Sequence, residues 1–171
     1  MTRLLLLSAV IFGLMLVEAH RASGNERAQR ARGGIEPRHD VYPFLQVAYP
    51  GVFLLMLGEG LFHAPPSTVQ LGLGGLALVV GKLLKWWAIV TLGPCWTFRV
   101  IVVPGTTPVV GGPYRLLRHP NYVGVVGELL GVSLLAGAPV AGVLGTLLFS
   151  GLMVLRVRVE NRALEGLSPR R

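Results

Sequence analysis

"GPYRLLRHPNYVGVVGELLGVSLLAGAPVAGVLGTLLFSGLMVLRVRVEN", residues 112–161, decides how this chain is read. It opens polar and basic, with Arg115, Arg118 and His119 set among Tyr114, Asn121 and Tyr122. From Tyr122 to Ala138, and again from Val140 to Leu155, it is apolar and rich in glycine. Only Pro139, just after Gly137, separates the two runs, which predicts a helical hairpin with almost no loop. A helix rises about 1.5 Å per residue, so two runs of similar length bring the chain back to the face it left. "RHPNY" (118–122) and "RVRVEN" (156–161), far apart in sequence, are therefore expected side by side.

The same apolar character extends outward. Further stretches run from Leu4 to Val17, from Val41 to Phe62 and from Val69 to about Leu92. The chain is 52% hydrophobic and 14% charged, with a mean hydropathy of +0.61. Soluble domains carry about 25% charged residues. The composition predicts one all-α polytopic membrane domain over 1–171, with about five transmembrane helices and a C-terminal helical hairpin. The first stretch also resembles a cleaved leader, with Arg3, an apolar run and "VEA" before His20; the very basic flank that follows favours an anchor instead. The segment 20–40 reads as a polar, partly helical loop, with Asn25 and Glu26 capping it or pairing locally with its arginines and Gly33-Gly34 ending any helix. "RVIVVPGTTPVVGGPYR" (99–115) reads as an extended or re-entrant linker at the surface, and Trp86, Trp87 and Trp96 as interfacial aromatics.

There are 16 Lys and Arg against 8 Asp and Glu. With five spans, fifteen of the sixteen cations fall on one face and only Arg3 on the other; the positive-inside rule makes that face cytoplasmic. Basic residues beside apolar runs point to anionic lipid headgroups rather than to nucleic acid. Cys95 is the single cysteine, no metal-ligand spacing occurs, and there is no glycine-rich nucleotide motif.

Chemistry is expected where the hairpin closes. Pro120 pushes His119 out of the helical region and opens a new helix, whose first N–H groups suit an anion. Gly124, Gly127 and Gly131 give that helix one smooth face, for a neighbouring helix or a flat ligand. Arg156, Glu160 and Leu164 share a helix face at four-residue spacing. Glu59 and Glu128 interrupt apolar spans, where an ionisable group invites a functional hypothesis.

On "GPYRLLRHPNYVGVVGELLG" followed by "RVRVENRAL", the chain resembles the isoprenylcysteine carboxyl methyltransferase family, within the broader membrane methyltransferases that include phospholipid methyltransferases. The resemblance covers 86–164, taken as the cofactor-binding half. It implies S-adenosylmethionine as cofactor and methyl transfer to an oxygen, a carboxylate or an enol, of a lipid-like acceptor drawn from the bilayer. By position it implies that His119, Tyr122 and Glu160 line the cofactor pocket, that Arg118 and Pro120 shape it, and that Gly124 allows close approach. The family's acidic pair is half present, with Asn161 in the second place. The chain ends at "EGLSPRR", where fuller members continue. Arg115 or Arg156 is the candidate to hold the acceptor oxygen during catalysis. Smaller family members suggest polyketide alkylpyrones or phenolic lipids as alternative acceptors. A non-catalytic membrane or lipid-binding subunit that keeps the fold is the reading from another class.

Overall fold

The computed structural model describes residues 1–37 and 40–165. Arg38, Arg170 and Arg171, three of the cations counted above, and the "GLSPRR" tail lie outside the described residues. Five helices follow one another: α1 (Thr2–Ala31), α2 (Tyr42–Glu59), α3 (Thr68–Leu92), α4 (Pro120–Ala136) and α5 (Pro139–Glu165). Among the described residues there is no strand, only an isolated antiparallel bridge between Ile35 and Val102. All five apolar stretches are thus helices. By length and composition three of them suffice to cross a membrane: Thr2–Ala31, Thr68–Cys95 and Pro139–Leu164. The expected count of about five full spans is therefore reduced. α4 is apolar but only 17 residues long, and α2 carries Pro50 in its interior and polar residues at its ends.

α1 corrects the sequence reading. The helix does not end with the apolar run but continues unbroken to Ala31, and stops where Gly33 takes a positive φ of 78°. Its first half packs Leu4, Leu7 and Ile11 into the main core with Phe53, Met56, Leu129, Val132 and Phe149. Its polar second half docks by side chains onto the short 3-10 turn after α3. Asn25 Nδ2 donates to the carbonyls of Gly93 (3.1 Å) and Trp96 (2.7 Å), and Gln29 Nε2 to that of Pro94 (3.1 Å). Asn25 and Glu26 thus serve the loop after α3 rather than neighbouring arginines; Glu26 lies 3.8 Å from Arg99.

The hairpin forms as expected. Gly137 takes the left-handed conformation (φ 71°, ψ 44°), its N–H reaches back to Ser133 and Leu134, and α5 begins at Pro139. α5 runs well past its apolar stretch and carries Arg156, Glu160 and Asn161 on its last turns. α3 and α4 pack backbone to backbone. A Cβ on Gly81 would lie 2.7 Å from the Gly124 carbonyl oxygen, and one on Gly131 would lie 2.6 Å from the Leu78 nitrogen. Only glycine allows that approach.

The helix ends sort into two layers. At one end Arg3 donates to the Ala136 carbonyl, and the Glu59 carboxylate accepts from the first N–H groups of α5, Val140 (3.0 Å) and Ala141 (2.6 Å). Glu59 is thus a helix cap, where its charge suits the positive end of the dipole. At the other end lie the last turns of α1, α3 and α5 and the first turns of α2 and α4. Lys82 and Lys85 are not surface cations. Lys85 Nζ meets Glu18 at 2.6 Å, Lys82 Nζ meets Glu18 at 3.1 Å and Glu128 at 3.0 Å, and Tyr49 donates to Glu128 at 2.5 Å. These groups join four helices inside the bundle.

Candidate active site at the basic end of the bundle

The two halves of the hairpin meet at side-chain resolution. The Tyr122 hydroxyl donates to Glu160 Oε2 at 2.8 Å. His119 Nε2 lies 3.2 Å from Asn161 Oδ1, and its Nδ1 lies 3.8 Å from Glu160 Oε2. The His119 and Tyr122 rings stack at 5.5 Å. Each side chain is placed by its element. Pro120 is the first helical residue of α4, so His119 is its N-cap and Tyr122 lies on the first turn. Glu160 and Asn161 face them from α5.

This cluster lines a cavity of about 690 Å³. Arg156, Glu160 and Leu164 line one wall, four residues apart on α5, as their spacing predicts. Arg118, His119, Asn121 and Tyr122 enter from the start of α4. The opposite wall is the linker, with Val100, Val103, Thr106, Val109 and their neighbours, and Gln29 and Arg32 close it from α1. The α4–α5 wall is thus mainly polar, while the linker contributes branched apolar side chains together with Thr97, Arg99, Thr106 and Thr107. Among the described residues Asn121 Oδ1 is buried without a hydrogen-bond partner, which marks a place for a donor from a bound molecule. Tyr114 also lines the cavity. Burial, and then the charge of Glu160, push its phenol well up, so it stays a neutral donor.

The linker is anchored at its first half. Asp40 accepts from the Val100 N–H at 3.1 Å, Arg99 pairs with Glu36 at 2.8 Å, and Ile35 and Val102 exchange backbone hydrogen bonds at 2.8 and 2.9 Å. Burial alone would raise the Glu36 carboxyl, but hydrogen bonds and charge from Arg99 and Arg30 outweigh it and hold the group below the usual carboxylate range.

Several expected site residues stand elsewhere. The guanidinium of Arg156 is buried, ion-paired with Asp40, and donates to the Phe98 carbonyl at 2.7 Å. It borders the cavity, but its charge is already matched by Asp40 and ties α5 to the linker. Arg115 is exposed and does not line the cavity. Gly124 faces α3, where a Cβ would lie 2.8 Å from the Gly81 carbonyl oxygen, so its close approach is to a helix and not to a ligand. Pro120 is buried and shapes the start of α4 without lining the cavity. Arg118 is exposed at the rim. Asp40, Gln29 and the linker wall escaped the sequence reading, whereas Tyr114 stood in the basic motif it singled out. Gln29 had a signal, since Glu18, Ala22, Asn25 and Gln29 recur at helical spacing on one face of α1. Among the described residues no group of three or more His, Cys, Asp or Glu side chains is placed to hold a metal ion.

The profile of the isoprenylcysteine carboxyl methyltransferase (ICMT) family matches residues 73–166, the part that carries α3, the linker and the hairpin. The chain is 33% identical to YpbQ, an uncharacterized protein of Bacillus subtilis (strain 168), over 95% of this chain and 97% of the relative. It is 25% identical to an uncharacterized protein of Haemophilus influenzae (strain ATCC 51907 / DSM 11121 / KW20 / Rd), over 85% of this chain and 86% of that protein. No solved structure matches the chain.

Proposed function

Because the chain belongs to the isoprenylcysteine carboxyl methyltransferase family and is a membrane methyltransferase of that type, we propose that it uses S-adenosylmethionine to methylate an oxygen of a lipid-like acceptor. The observation that carries this reading is the closure of α4 on α5 through Tyr122–Glu160 and His119–Asn161 at the polar side of one cavity. The residues fit the cofactor. The cavity lies within the range of small-molecule sites, about 300–1,000 Å³. Glu160 suits an ammonium or hydroxyl donor, and the first turn of α4 with His119 suits a carboxylate. Asn121 Oδ1 has an acceptor site to spare. When bound, S-adenosylmethionine supplies a methyl group on a cationic sulfur.

The protein's part is placement and shielding. Methyl transfer to an oxygen that is already anionic asks little acid–base work of the protein; alignment and exclusion of water dominate. The apolar side chains of the linker wall supply both, because an acceptor tail laid on Val100, Val103 and Val109 displaces water. A carboxylate or an acidic enol, including a pyrone, meets the requirement. Asn161 does not break the pocket: its amide engages His119 and so does without the second charge. The basic end faces the cytoplasm by the positive-inside rule, where the soluble cofactor is available.

Calorimetric titration of the detergent-purified protein with S-adenosylmethionine tests this reading, alongside His119→Ala and Glu160→Ala. Hydrogen bonds to charged groups contribute about 1.5–3 kcal/mol, so each variant is expected to lose roughly 10- to 100-fold in affinity. A well-folded wild type that binds none would overturn it in favour of a non-catalytic subunit.

A further inference from the structure

From Val100 to Tyr114 the strap that walls the cavity carries no charged residue. Its exposed face carries Thr106 and Thr107 beside Pro104, Pro108 and Val110, and the turn after it is both apolar and basic. Val110 is 75% exposed, Leu116 79% and Leu117 40%, while Arg115 and Arg118 stand exposed among them. A water-facing loop rarely clusters bare aliphatic side chains beside cations, whereas an interfacial segment does. The strap's end abuts α3. A Cβ on Gly112 would lie 2.5 Å from Thr91 Oγ1 and 3.2 Å from Trp87 Nε1. Trp87 is half-exposed, and Leu83 and Val90 of the same helix are bare as well. A half-exposed Trp near the end of a spanning helix marks the headgroup level. The strap therefore meets α3 at the depth where the bilayer surface lies, and its apolar side chains continue the lipid-facing surface of that helix.

We propose that residues 104–118 rest in the interfacial layer of an anionic bilayer. Val110, Leu116 and Leu117 enter the acyl boundary, and Arg115 lies at the headgroups. This gives Arg115 a place, since this residue lies off the cavity.

Depth-resolved fluorescence of the full chain in vesicles of phosphatidylglycerol and phosphatidylethanolamine tests the proposal. Cys95→Ser removes the single native thiol. Val110→Cys or Leu116→Cys then carries an environment-sensitive fluorophore. The expected result is blue-shifted emission, quenched more by a nitroxide high on the acyl chain than by one at its end, because interfacial segments sit about 5–10 Å deep. Water-like emission with no quenching overturns the proposal, and so does stronger quenching from the chain end. Arg115→Gln is expected to weaken the shallow quenching in these vesicles and to leave it unchanged in phosphatidylcholine; no change in the anionic vesicles refutes the headgroup role. Titration of the same samples with S-adenosylmethionine separates the two readings. Shallow quenching without cofactor binding leaves the docking surface standing and removes the methyltransferase.

Discussion

The arginines of the hairpin's basic end have the same side chain and opposite surroundings. Arg115 is exposed, Arg118 is exposed at the cavity rim, and Arg156 is buried against Asp40. Their substitutions should separate accordingly. Arg156→Met leaves the buried Asp40 carboxylate without its cation and is expected to destabilise the protein by about 3–5 kcal/mol. Arg115→Gln is expected to stay within about 0.5 kcal/mol, as surface changes do. Unfolding by a denaturing detergent, followed by circular dichroism, measures both. Equal effects would show that Arg156 is not bound as described. The helical face shared by Arg156, Glu160 and Leu164 was legible from spacing alone. Asp40 was not, because it lies in the short connection between α1 and α2, and no local pattern reports a partner so distant in sequence. Tyr122 and Glu160 were legible because the hairpin converts a long sequence separation into a short spatial one.

Among the elements, α4 shows its packing face openly in Gly124, Gly127 and Gly131, and the structure turns that face onto α3. The complementary groove of α3, at Gly74 and Gly81, went unread because glycines at those places also look like breaks in a span. Contact through backbone makes the consequence severe. Gly81→Val or Gly131→Val would drive a side chain into peptide atoms that cannot yield, and should cost about 1–3 kcal/mol or more. Gly72→Ala is the control, since a Cβ there meets nothing within 4 Å. A cysteine pair across the α3–α4 seam would cross-link in the control and fail to do so in the valine variants. The extent of α1 was hidden for another reason. Its second half is polar, and periodicity of apolar residues ends with the first half. The helix continues because Asn25 and Gln29 find carbonyl partners on another element, a tertiary gain that local sequence does not carry.

For the whole molecule, the all-helical membrane class, the hairpin and the place of the candidate site were legible from hydropathy and charge. The interior was not. The sequence shows Glu18, Lys82, Lys85 and Glu128 as flaws in or beside three apolar runs, and only the folded bundle shows that two carboxylates and two ammonium groups answer one another. Removing one should therefore be worse than removing a pair. Lys85→Met alone leaves a carboxylate uncompensated, with an expected loss of about 3–5 kcal/mol, whereas Lys85→Met with Glu128→Gln keeps the balance and should recover a large part. Detergent-unfolding curves for the two variants check this, and an equal loss would count against mutual compensation. The same arrangement bears on biogenesis. A charged residue at the middle of a helix resists entry from the translocon by about 2.5–3.5 kcal/mol. Glu18 leaves the ribosome first, and the two lysines of α3 follow with one charge in excess until α4 delivers Glu128. The nascent chain is thus electrically incomplete until its fourth helix emerges. Quality-control proteases that recognise unpaired charge in the bilayer would clear chains stalled before that point and spare those that pass it.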